Sequence, residues 1–69
     1  MKMMGNIIEL DKKNELGYIK GFDDLIYFFH KNQVYNNENL KINDLVEFDF
    51  EMKIDKNMPY AINIERKSK

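Results

Sequence analysis

Hydrophobic and polar positions alternate most cleanly over residues 46–52, where Val46, Phe48, Phe50 and Met52 interleave with Glu47, Asp49 and Glu51. A strict period of two is that of a β-strand, whose successive side chains point to opposite faces. One face of this strand is expected in a core and the other, wholly acidic, in water. Three earlier segments, residues 5–10, 16–20 and 25–30, are short, rich in aromatic or β-branched residues and bounded by turn formers, so each also reads as a strand. The polar run 11–15 separates the first two, and Gly21 with the acidic Asp23-Asp24 pair separates the next two. Residues 31–34 have no clear period and predict one helical turn, and 35–39 form an asparagine-rich loop. A second polar loop over 53–58 leads to Pro59. Proline is tolerated at the opening of a strand, here 60–65, because its missing N–H is not yet needed there. The basic end, 66–69, is expected to fray.

A three-strand meander, a longer connection and two further strands predict an all-β fold, a small closed or nearly closed barrel that leaves few exposed edges. The arrangement fits a five-stranded antiparallel OB barrel, with an SH3-like barrel as the structural competitor. The chain's 69 residues make a single domain, 1–69, of a size that buries only ~60% of the surface its unfolded chain exposes. It has no cysteine and one histidine, which excludes disulfide staples and the usual zinc clusters. No apolar run reaches the ~20 residues that span a bilayer, and Met1 to Gly5 lacks the form of a secretory signal. A cytoplasmic location is therefore expected, with no membrane partner.

Alternation also sorts the aromatic residues. Leu16, Tyr18 and Lys20 share a face with Phe28 and His30, whereas Ile19, Tyr27 and Phe29 fall on the other and are core. Tyrosine, phenylalanine, histidine and lysine together make a poor core but a suitable shelf for unstacked bases. The formal net charge of −1 changes what such a shelf can do. Binding must rest on stacking and a local set of lysines, so it should be modest in affinity and shallow in salt dependence. Lys12, Lys13, Lys20 and Lys31 lie close enough in sequence to serve phosphates, although Lys12 and Lys13 equally fit a solvated turn. No phosphate loop, catalytic carboxylate pair, Cys–His pair or metal spacing is present in the sequence. No enzyme and no cofactor are expected. His30 lacks a carboxylate–nucleophile set, leaving base contact or a structural role.

These residues resemble the cold-shock domain, almost end to end from Met4 to Ile64. The family's K-G-F-G-F-I motif is similar to Asn14-Glu15-Leu16-Gly17-Tyr18-Ile19, and its V-F-V-H to Tyr27-Phe28-Phe29-His30. The F-S-A-I that follows falls on Lys31-Asn32-Gln33-Val34. A leucine followed by V-x-F appears as Leu40 and Val46-Glu47-Phe48, and the closing G-P-x-A-x-N-V as Met58-Pro59-Tyr60-Ala61-Ile62-Asn63-Ile64. The resemblance implies an OB barrel that binds single-stranded RNA or DNA in an RNA-chaperone-like role, with Tyr18, Phe28 and His30 at base-contacting positions.

Three positions depart from the pattern. Glu9 stands where the family has a stacking tryptophan, Leu16 where it has the first motif phenylalanine, and Lys31 where it has the phenylalanine after the histidine. At ~1–3 kcal/mol per base–aromatic stack, three losses amount to several orders of magnitude in affinity. Tyr60, beside Pro59, and Tyr35 are expected to restore part of the surface. The alternative is an OB module whose eroded face meets a protein or a second copy of itself.

Overall fold

The computed structural model describes residues 2–52 and 57–68; most of the expected polar loop, residues 53–56, lies outside them. The strands are β1 (Met3–Asp11), β2 (Leu16–Gly21), β3 (Ile26–His30), β4 (Leu45–Glu51) and β5 (Tyr60–Arg66). Their period-two apolar positions point inward, and Tyr27, Phe48, Ile7, Ile19, Ile64 and Val46 are the largest fully buried side chains. Two short 3-10 segments, Lys31–Gln33 and Tyr35–Asn37, replace the single expected helical turn. Asn36 and Asn37 carry positive φ there, 55° and 52°, as asparagine tolerates.

The strands close in the order β1-β2-β3-β5-β4, with β1 pairing back onto β4. The expectation of an antiparallel barrel is corrected at one seam, because β3 and β5 run parallel through Phe28↔Tyr60, and Val34↔Ile64 repeats the sense just beyond. The reason is topological. Strand directions can alternate around a closed ring only if the number of strands is even, so five strands force one parallel pair. The Phe28 N–H donates to the Pro59 carbonyl at 3.0 Å to fasten this seam.

Two bulges shape the barrel. In β1 the register passes from Ile7↔Ile19 to Glu9↔Tyr18, leaving Ile8 as the extra residue. In β5 it passes from Glu65 to Ile62 while β4 advances only from Glu47 to Asp49. Asn63 takes up that extra length with φ 52°. A side chain that tolerates left-handed backbone is what such a bulge requires. Gly5 faces Gly21 across β1–β2, and a Cβ at Gly5 would lie 2.6 Å from the Lys20 carbonyl oxygen.

Two expectations for the outer regions change. Val46 and Phe48 are buried, but Phe50 is 38% and Met52 68% exposed. Phe50 reaches the edge of the Tyr27 ring, 5.4 Å between centroids, whereas Met52 lies past the end of β4. The acidic face of β4 carries cations of its own, with Lys2 at 3.8 Å from Asp49 and Lys67 at 3.7 Å from Glu47. The basic end is hydrogen-bonded to the barrel as far as Ser68. The Lys67 and Ser68 N–H groups donate to the Leu45 carbonyl, and the Ser68 hydroxyl accepts from the Leu45 N–H and donates to Asp44.

Tyr27 links the core to the β2–β3 turn by donating its hydroxyl to Asp23. Burial first, then the Asp23 hydrogen bond and charge, push its phenol from 10.0 up to about 12. The fold favours the neutral phenol, so this contribution is intact below pH 10 and is lost as pH rises through 12. Denaturant titrations across that window should show wild-type stability falling more steeply than that of Tyr27→Phe; parallel pH profiles for the two proteins would refute the assignment.

Candidate functional site

The β1 bulge decides what shares the outer face with Tyr18. Simple alternation from buried Ile7 would send Glu9 into the core, but the inserted Ile8 shifts Glu9 opposite Tyr18 instead. Tyr18 pairs with Phe28 and Phe28 with Tyr60, so Glu9, Tyr18, Phe28 and Tyr60 form one row across β1, β2, β3 and β5. The neighbouring row on one side is Asp11, Leu16 and His30; on the other it is Asn6, Lys20 and Ile26.

Phe28 is the centre of a ring cluster. Its centroid lies 5.6 Å from Tyr18, 5.0 Å from His30 and 5.2 Å from Tyr60, and His30 and Tyr60 are 6.3 Å apart. These are the separations of tilted and edge-to-face aromatic pairs. Tyr18, Phe28 and Tyr60 are half-buried and His30 is exposed, so the cluster supports itself on the outside of the barrel and is separate from the core. Glu9 is exposed at the end of the central row, where its carboxylate opposes phosphate.

The lysines do not form one patch. Lys20 stands at the β3-start end of the face, 4.0 Å from Asp24 in an exposed pair. Such a pair is worth little and opens readily. Lys12 and Lys31 are at the other end and line a hollow of about 370 Å³ with Leu10, Leu16, Phe29 and Leu40. Lys13 is exposed in the β1–β2 turn. In that turn Asp11 accepts hydrogen bonds from the Asn14 side chain and N–H, which hold its carboxyl below the usual range. Tyr60 joins the ring cluster. Tyr35 does not extend it: it lines a separate hollow with Lys2, Asn63 and Glu65.

Two features of this face escape the sequence reading. The bulge at Ile8 has no local signature, since Ile7-Ile8 fits an uninterrupted strand equally well. Phe22 was readable, because it follows Tyr18 and Lys20 at intervals of two, but the turn residues around it hide the continuation.

No protein-family model matches the chain, and no curated protein matches it in sequence. Among solved structures, the chain is similar to drosophila Unr CSD456, with a TM-score of 0.75 and 26% identity. The match covers 96% of this chain and 26% of that one, so the chain spans about a quarter of that structure's length. The mixed five-stranded barrel, the two aromatic motifs facing each other on β2 and β3, and this likeness agree: the chain has a divergent cold-shock-domain-like fold.

Proposed function

We propose that the chain binds single-stranded nucleic acid, RNA or DNA, by stacking bases on Tyr18, Phe28, His30 and Tyr60. It is a binding module and not an enzyme, and its role is of the RNA-chaperone kind, in the cytoplasm. The observation that carries this reading is the contiguity of the four rings on one outer sheet face. Every base has a π-face, so such a platform tolerates any sequence. Phosphates pass Lys20 at one end and Lys12, Lys13 and Lys31 at the other. Glu9 and Leu16 at positions that could hold rings make the binding weaker than a fully aromatic face would give.

The same two residues, with Ile8 43% exposed beside Glu9, favour a second reading in which this face meets a protein or a second copy. Titration with oligo-dT and oligo-U separates the two. The chain has four tyrosines and no tryptophan, so quenching of tyrosine fluorescence that is reduced in Tyr18→Phe and Tyr60→Phe reports stacking on those two rings. Amide and ring NMR shifts centred on β2, β3 and the start of β5 are expected. Silence at millimolar oligonucleotide overturns the nucleic-acid reading and leaves the protein-contact one.

A further inference from the structure

Phe22 stands one residue past β2 yet remains on its ladder, with its N–H donating to the Met4 carbonyl at 2.8 Å. Strand parity therefore continues through it. Tyr18 and Lys20 face outward and Gly21 inward, which puts Phe22 on the outer face, where its side chain is 65% exposed. It lies four positions along the strand from Tyr18, about 13 Å, and the row of Lys20 and Ile26 lies between.

We propose that Phe22 supplies a further base-stacking subsite, taking an unstacked base of the same single strand that the Tyr18–Phe28 cluster holds. The inference rests on the nucleic-acid reading above and extends its footprint towards the β2–β3 turn. Lys20 lies on the path between the two stacking positions, and its exposed contact with Asp24 leaves its ammonium able to turn to a phosphate. The turn's other carboxylate, Asp23, is fixed in place by accepting from the Leu25 N–H at 3.1 Å and from the Tyr27 hydroxyl. Both carboxylates keep their charge and oppose a phosphate, but both are exposed, Asp24 with its side chain 89% so, where solvent and salt screen them. Rings are missing at Leu16 and Lys31, at the His30 end of the face; Phe22 adds one at the opposite end, so the track is displaced along β2.

Affinities of wild type, Phe22→Ala and Phe22→Leu for oligo-dT of about four and about eight nucleotides test this. Both variants should weaken the longer oligonucleotide by about five- to 150-fold, the worth of one base–aromatic stack. The shorter one, which the four-ring cluster accommodates alone, should bind unchanged. Equal affinity of all three proteins for the longer oligonucleotide overturns the subsite. So does an equal loss at both lengths accompanied by a lower melting temperature. Phe28→Ala serves as the reference: if it weakens both lengths while Phe22→Ala weakens neither, only the subsite fails. If Phe28→Ala is also without effect, the nucleic-acid reading falls with it.

Discussion

Phe28→Ala is expected to lower affinity for oligo-dT by roughly five- to 150-fold, the equivalent of the ~1–3 kcal/mol assigned to a base–aromatic stack. Among the face residues it should have the largest effect because of where it stands. Phe28 touches Tyr18, His30 and Tyr60, whereas Tyr18 is in contact with Phe28 alone among those rings. Truncating it removes one stacking surface and the lateral support of three others, so its effect and that of Tyr60→Ala should not add. Stability must be read alongside. A core phenylalanine costs ~3–5 kcal/mol when cut to alanine, and half-buried Phe28 should cost less. Phe28→Leu keeps apolar volume at the seam with β5 while deleting the ring, so it should lose affinity with little change in melting temperature. The salt slope should stay as shallow in both variants as in wild type, because no phosphate contact is lost; Lys20→Ala should flatten it further. An unchanged dissociation constant for both Phe28 variants would remove stacking from the account of this face.

How much of this was legible in the sequence depends on the range of the interaction that decides each feature. Strand identity is local. Val46-Glu47-Phe48 and Tyr27-Phe28-Phe29 announce their faces by alternation, and the structure buries Val46, Phe48, Tyr27 and Phe29 accordingly. The pairing of Tyr18 with Phe28 follows from a short β2–β3 turn acting on two such strands. Ring closure is not local. The parallel seam between Phe28 and Tyr60 depends on all five strands meeting, and reading strands one at a time leads to the antiparallel expectation. The same limit applies to the termini of elements. Ser68 is held by Leu45 and Asp44, more than twenty residues earlier, and nothing in Arg66-Lys67-Ser68 signals that. Tyr35 misled for a similar reason: an exposed tyrosine in a loop has no parity, so only the packing of the 3-10 segments against β5 fixes its side of the barrel. Tyr60 entered with Tyr35 only as a replacement for the missing rings, and its place beside Phe28 alternation alone could not give.

Gly17→Ala is expected to cost about 3 kcal/mol, a large share of the roughly 3–10 kcal/mol available to a domain of this size. Gly17 lies between the two face residues Leu16 and Tyr18, which invites a role in ligand approach. Its surroundings argue otherwise. A Cβ there would meet the Phe29 ring at 2.7 and 2.8 Å and the Glu9 carbonyl oxygen at 2.9 Å. Phe29 is 2% exposed and sits directly across the β2–β3 register from Gly17, so its ring can give way only by shifting within the core or towards the hollow it lines with Leu10, Leu16 and Leu40. The Glu9 carbonyl belongs to the bulged stretch of β1 and can retreat only by parting β1 from β2. The missing side chain therefore makes room inside the barrel, and the glycine of this motif serves the fold before it serves the face. That assignment separates two measurements. Gly17→Ala should lower the denaturation midpoint sharply, while the fraction that remains folded binds oligo-dT like wild type. Phe29→Leu placed in the Gly17→Ala background should recover part of the loss by withdrawing the ring atoms that the new methyl meets, although Phe29→Leu alone is destabilising. If the double variant is no more stable than Gly17→Ala, then the clash with the Glu9 carbonyl dominates. If Gly17→Ala folds normally and only binding suffers, the glycine belongs to the ligand after all.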